Sequence, residues 1–89
     1  MRLPQKLIAA INTYFAFRRV VLPQVTNNTI VFKLVFEDEN TNLRCSGLIE
    51  QACFKYGWTC YIAFGNIYLH KNGKDIMISG PIEPDYLKI

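Results

Sequence analysis

The segment Trp58–Ser79, with the sequence WTCYIAFGNIYLHKNGKDIMIS, decides the fold. Asn72-Gly73 separates two β-rich runs, and this pair tolerates the positive φ values that a type I′ turn requires at both central positions. Gly65-Asn66 separates the first of these runs from the preceding one in the same way. The segment therefore predicts three antiparallel strands in a meander, and each two-residue turn fixes the register of its strands.

The two turns predict which residues lie opposite one another. Around Asn72-Gly73 the predicted pairs are Lys71–Lys74, His70–Asp75, Leu69–Ile76, Tyr68–Met77 and Ile67–Ile78. Around Gly65-Asn66 the predicted pairs are Phe64–Ile67, Ala63–Tyr68, Ile62–Leu69 and Tyr61–His70. These registers predict two rows across the sheet, Tyr61–His70–Asp75 and Ala63–Tyr68–Met77.

Side chains alternate between the two faces of a strand, so the meander is predicted to have one apolar and one mixed face. The apolar face, predicted to be the core side, consists of Cys60, Ile62, Phe64, Ile67, Leu69, Ile76 and Ile78. The mixed face, called the open face below, consists of Thr59, Tyr61, Ala63, Tyr68, His70, Asp75 and Met77.

Upstream of the meander, apolar spacing of three and four residues predicts a helix over residues 3–20, which Pro23 ends. A linker is predicted over Gln24–Asn28 and a strand over Thr29–Glu37, followed by a polar loop over 37–42. A second helix follows, capped by Asn42 or Ser46 and ended by Gly57. The rival interpretation pairs Leu43–Leu48 as a strand with Thr29–Glu37.

The predicted fold is α+β, a two-layer sandwich in the order α-β-α-β-β-β with both helices on one face of a four-stranded sheet. Residues 1–80 are predicted to form a single domain, and residues 81–89 an irregular C-terminal tail. The predicted core consists of Leu7, Ile11, Phe15, Ile30, Phe32, Leu34, Leu48, Ala52, Ile62, Phe64, Leu69, Ile76 and Ile78.

Composition narrows the class of protein. The 89 residues are 51% apolar, carry a net charge of +3 and include three cysteines, which cannot all pair within the chain. Because no C-x-x-C arrangement occurs, we expect reduced thiols and a cytoplasmic location. No apolar run approaches the roughly 18 residues of a membrane span, so no membrane association is expected.

The sequence contains one histidine, His70, which Asp75 is placed to orient and to which Tyr61 is placed to donate a proton. Neither a nucleophile nor an oxyanion donor is placed nearby, so ordinary cross-strand pairing is favoured. Cys45 is the strongest candidate nucleophile among the cysteines, but a small buried side chain explains it better. We therefore expect no enzymatic activity, no metal and no cofactor.

Two binding functions fit the remaining pattern. The first is a non-catalytic interaction module, such as an inhibitor or accessory protein of a phage or mobile element, whose partner is another protein or a second copy of itself. Its predicted contact residues are Tyr61, Tyr68, His70 and Met77 on the open face and Glu37, Asp38 and Glu39 in the polar loop. The alternative is a nucleic-acid-binding domain that stacks bases on the tyrosines and contacts phosphates through Arg2, Lys6, Arg18, Arg19 and Lys33.

Overall fold

The computed structural model describes residues 2–83. Its elements, in chain order, are α1 (Gln5–Phe17), β1 (Val20–Thr26), β2 (Thr29–Val35), α2 (Glu39–Tyr56), β3 (Thr59–Ala63), β4 (Asn66–Lys71) and β5 (Lys74–Ile78). The α+β class is confirmed, but the order is α-β-β-α-β-β-β and the strands form two antiparallel sheets. Most of the predicted tail, residues 84–89, lies outside the described residues.

The two helices and the meander β3–β4–β5 share one buried cluster, and we call this part of the protein the body. Helix α2 contributes Cys45, Ile49 and Cys53, whose spacing of four residues places them on one side of the helix. Strand β4, at the centre of the meander, contributes Ile67 and Leu69. The apolar face of the meander is therefore its core side, as the alternation of the sequence predicts.

The register of β4 with β5 is confirmed in all five predicted pairs. The predicted register of β3 with β4 is wrong, because the turn lies one residue earlier than predicted. It consists of Phe64-Gly65, and both residues have positive φ. Phe64 is consequently 96% exposed and not in the core. Because the turn moves by one residue, the pairing of β3 with β4 shifts by two, and all side chains of the meander apart from Phe64 keep their predicted faces.

The corrected register changes the rows on the open face. Tyr61 lies opposite Tyr68 and not opposite His70. The two tyrosine rings stack with centroids 4.7 Å apart and planes inclined by 12°. Both predicted rows are therefore wrong in their β3 residue. Thr59 and not Tyr61 lies opposite His70, and Tyr61 and not Ala63 lies opposite Tyr68.

Residues 20–35 form a β-hairpin that the sequence analysis did not anticipate. The predicted linker Gln24–Asn28 is instead the end of β1 and the turn Asn27-Asn28, in which both residues have positive φ. Strand β2 pairs with β1 alone and does not join the meander, so the four-stranded sheet is wrong. Helix α1 ends at Phe17 because the β-branched residues that follow it enter β1.

Several predicted core residues lie in these reassigned segments or on outer surfaces. Leu7, Ile11 and Leu69 are fully buried, and Phe15, Ala52, Ile62, Ile76 and Ile78 pack against the cluster as predicted. The predictions for Ile30, Phe32, Leu34, Leu48 and Phe64 are wrong, since all five side chains are exposed. The first three lie in the hairpin, and Leu48 lines an open cleft between α1 and α2, where it is 48% exposed.

Helix α2 begins earlier than predicted, at Glu39, so most of the expected polar loop is its first turn. Asp38 is the N-cap, and its carboxylate accepts hydrogen bonds from the main-chain N–H of Thr41 at 2.8 Å and from its hydroxyl at 2.9 Å. The predicted caps Asn42 and Ser46 are therefore wrong. Gly57 ends the helix in the left-handed conformation, as predicted.

The cap makes the stability of the protein depend on pH in acid. The hydrogen bond from the Thr41 N–H lowers the pKa of Asp38 below its usual value. The cap therefore stabilises the fold above the usual carboxyl pKa and loses this effect as the pH falls through the lowered value. Asp38→Asn retains an acceptor that does not titrate. In urea unfolding from about pH 6 to about pH 2, the wild type should lose more stability than this variant, and parallel curves would contradict the assignment.

Lys71 joins the end of α2 to the meander. Its Nζ atom donates a hydrogen bond of 2.8 Å to the carbonyl oxygen of Tyr56 and lies 5.6 Å from the centroid of the Trp58 ring. We expect Lys71→Met to lower the free energy of unfolding by about 1–2 kcal/mol, because a helix-terminal carbonyl and a cation–π contact lose their partner. Urea unfolding of Lys74→Met, which changes the exposed lysine directly opposite, is the control. Equal losses in the two variants would contradict this role.

Candidate protein-binding surface

One face of the hairpin is apolar along its whole length. The observed register places six side chains on this face, which we call the apolar face: Val21, Pro23, Val25, Ile30, Phe32 and Leu34. The opposite face is mixed and carries Gln24, Thr26, Thr29 and Lys33 among its residues. A two-stranded ribbon with this pattern is expected to be covered on its apolar side.

The apolar face is nevertheless exposed. Val25 is 72% exposed and Phe32 is 69% exposed. Within the described chain, no hairpin residue belongs to the buried cluster of the body. Contiguous exposed apolar patches larger than about a few hundred Å² are rare on monomeric proteins and mark interaction sites.

The hairpin projects from the body. The described protein measures 44 × 25 × 25 Å, and its radius of gyration is 14.4 Å, whereas a compact domain of this length has a value of about 12 Å. Strands of seven residues extend about 23 Å. Because an isolated two-stranded hairpin is only marginally stable in water, the hairpin is expected to depend on a covering partner.

A groove of about 780 Å³ separates the base of the hairpin from the body. One wall is the unpaired edge of β3, and another is the N-terminal half of α2, where Leu43 is 63% exposed. The lining carries the carboxylates of Asp38, Glu39 and Glu50 and the cations Arg18 and Lys33. The groove therefore combines apolar side chains, main-chain hydrogen-bonding groups and a modest excess of negative charge.

The open face holds the predicted contact residues Tyr61, Tyr68, His70 and Met77 together on adjacent strands. His70 Nδ1 and Asp75 Oδ1 are 2.6 Å apart, and both side chains are largely exposed. A cross-strand pair of this kind contributes about 0.2–1 kcal/mol to a sheet. The geometry of this pair is thus accounted for by pairing alone.

The charged residues of the binding hypotheses are distributed over several places. Arg2 precedes α1 and Lys6 lies in its first turn, whereas Arg18 and Arg19 follow its end, about 18 Å from Lys6 along the helix axis. The guanidinium of Arg18 lies directly over Gly65, where a Cβ atom would meet it. Of the predicted acidic contacts, Glu37 is exposed before α2, Asp38 is its N-cap, and Glu39 is in its first turn.

The cysteines are placed as structural side chains. Cys45 and Cys53 are buried in the body, and burial raises the pKa of both thiols. For Cys53, burial and a hydrogen bond with the Cys60 thiol raise the pKa to about 12. These thiols lack the lowered pKa that a nucleophilic cysteine requires.

Residues 2–83 contain no cluster of three or more side chains suited to hold a metal ion. Within the same range, neither helix has the length and apolarity to cross a membrane. Comparison of the chain with protein-family models, curated proteins and solved structures finds no significant match in any of the three.

Sequence reasoning missed the hairpin as a binding element, although signals for it were present. Two β-branched runs flank Asn27-Asn28, and asparagine is among the residues that tolerate the positive φ of a hairpin turn. Pro23 was interpreted as the end of a helix, but proline is also accepted in a strand at the edge of a sheet. The exposure of the apolar face, in contrast, depends on how the whole chain packs, and no short sequence pattern predicts it.

Proposed function

We propose that the protein is a small non-catalytic interaction module that binds another protein chain through its hairpin. The observation that carries this proposal is the exposed apolar face, formed by three cross-strand pairs of side chains, on a hairpin that contributes nothing to the buried cluster described for residues 2–83. Burial of this face by a partner would supply roughly 25 cal/mol for each Å² of apolar surface removed from water. Phe32, at the middle of the face, is the expected anchor.

The stacked tyrosines of the open face support a second contact with a partner protein, which contributes less to binding than the hairpin does. Nucleic-acid binding has less support, because the basic residues lie at both ends of α1 and in the hairpin and do not form one basic surface. The proposal includes a role as an inhibitor or accessory protein, because a protein can perform such a role by binding its partner without catalysis.

Two variants test which surface binds. Phe32→Asp places a charge on the apolar face, and Met77→Asp places the same charge on an exposed apolar residue of the open face. Binding is measured by sedimentation velocity for self-association and by quantitative capture from an extract of the producing cells. We expect Phe32→Asp to weaken binding at least tenfold and Met77→Asp to change it little. Unaltered binding by a folded Phe32→Asp protein would contradict the proposal.

A further inference from the structure

The strand edges of the hairpin differ in their ability to extend a sheet. In a hairpin closed by a two-residue turn, the residues next to the turn form a hydrogen-bonded pair, and the two kinds of pair alternate from there. Thr26–Thr29 is thus hydrogen-bonded, and Pro23–Phe32 is not. The main-chain groups of Pro23 and Phe32 consequently point outward, away from the partner strand. Because proline has no N–H, the outer edge of β1 is interrupted and the outer edge of β2 is not.

The free edge of β3 follows the same rule. Ala63–Asn66 flanks the turn and is hydrogen-bonded, so the pairs of Ile62 with Ile67 and of Cys60 with Leu69 are not. The N–H and C=O groups of Cys60 and Ile62 therefore point away from β4 and into the groove, whose wall these residues form. Their side chains lie on the core side of the meander.

The free edges of β2 and β3 match in the faces of their side chains, whereas the outward residues of β5, Asp75 and Met77, lie on the open face. In antiparallel pairing, residues directly opposite one another have their side chains on the same face of the sheet. The outward residues of β2 are Ile30, Phe32 and Leu34, which belong to the apolar face. If β2 pairs with β3, the apolar face must join the core side beside Cys60 and Ile62, and the mixed face must join the open face.

We propose that the hairpin of a second copy of this chain occupies the groove, with its β2 added to the edge of β3, and that the two copies exchange hairpins. The proposal rests on the proposed function and names its partner. Each chain carries the edge of β2, which we call the donor edge, and the edge of β3, which we call the acceptor edge. A two-fold symmetric dimer that pairs them covers both hairpins and fills both grooves. Because the symmetric dimer contains this contact twice, the two contacts together contribute to the roughly 800 Å² per partner that a stable interface buries.

The charges and the apolar wall of the groove fit this occupant. Lys33 is the one charged residue between positions 20 and 35, so an entering hairpin brings a cation and no acid. The groove holds the carboxylates of Asp38, Glu39 and Glu50 against two cations, Arg18 and Lys33, so its lining keeps a modest excess of negative charge for the entering cation. Leu43, exposed on the α2 wall, gives the apolar face a side chain to contact.

The decisive experiment compares Phe32→Pro with Phe32→Val by sedimentation equilibrium of the full chain. Both variants lose the ring, but only proline removes the outward N–H, and neither disturbs the hydrogen bonds between β1 and β2. We expect a wild-type dimer and a dissociation constant at least tenfold higher for Phe32→Pro than for Phe32→Val. Val25→Pro removes an outward N–H from the edge that Pro23 already interrupts, so we expect its dissociation constant to resemble that of the wild type. Equal dissociation constants for Phe32→Pro and Phe32→Val would overturn the pairing.

A second pair of variants tests the groove without altering the hairpin. Leu43→Lys changes the groove wall, whereas Phe54→Lys changes a residue of the same helix that is 90% exposed and lies outside the groove. We expect only Leu43→Lys to weaken the dimer. A wild-type protein that is monomeric at every concentration would overturn the inference. The proposed function would survive that result if Phe32→Asp still abolished capture of a different protein, and it would fail if capture were unchanged.

Discussion

Replacing Ile67 by alanine is expected to lower the free energy of unfolding by about 2–5 kcal/mol. Ile67 is 0% exposed in the central strand of the meander and belongs to the buried cluster that the two helices and the sheet share. The loss comprises the transfer energy of the missing methyl and methylene groups and the cost of the cavity that they leave. A domain of this size is stable by only about 5–15 kcal/mol, so a substantial part of its stability would be lost.

Ile30→Ala is the matched control, because it makes the same chemical change on the hairpin. Ile30 is 61% exposed, so its replacement removes little buried surface and should change the stability of the monomer by less than about 0.5 kcal/mol. Both variants are compared by urea unfolding at one low protein concentration, since association would stabilise the native state. A large loss for Ile30→Ala at this concentration would mean that the hairpin packs on its own body.

Replacing residues 20–35 by an Asn-Gly linker is expected to abolish association and to leave the body folded. Val20 and Val35 lie opposite one another, so the flanking residues 19 and 36 are about one strand spacing apart and a two-residue turn can join them. Within residues 2–83, the buried cluster contains no side chain from the segment removed. The body therefore keeps its core, while the apolar face and the donor edge are lost.

Chemical denaturation and sedimentation of this shortened protein give the two readouts. We expect one cooperative unfolding transition, with a free energy of unfolding within about 1 kcal/mol of the monomeric wild type, together with a monomeric mass. Loss of cooperative unfolding would show that the hairpin is part of the folding unit. Retained association would move the binding surface to the body, with the open face as the next candidate.

The meander shows how far local sequence signals determine a fold. Asn72-Gly73 fixed the pairing of β4 with β5 correctly, because no neighbouring pair of residues competes with it as a turn. At the other turn, Phe64-Gly65 and Gly65-Asn66 are alternatives that differ by one position. The observed turn places a phenylalanine at positive φ, a cost of about 1–2 kcal/mol, and this register stacks Tyr61 on Tyr68. The two registers differ in their cross-strand partners, which the turn sequence alone does not specify.

The exposure of the hairpin could not be predicted from the sequence. The alternation in Thr29–Val35 correctly identified a strand and its apolar face, Ile30, Phe32 and Leu34. This face was expected in the core of the same chain, because an apolar face normally packs within its own domain. The candidate site was missed for this reason, since nothing in a strand specifies whether its cover comes from its own chain or from another one.

Pro23 is also expected to limit the growth of fibres by this protein. A chain with an acceptor edge and a donor edge is able in principle to polymerise, since head-to-tail addition of strands grows fibres when it does not close into a ring. Growth at β1 is stopped because its outer edge lacks one N–H group, and the Lys74-Asp75 pair places charge on β5 at the opposite end of the sheet. We expect these two features to keep a concentrated solution clear and its particles discrete, without the cross-β aggregation that an exposed apolar hairpin would otherwise invite.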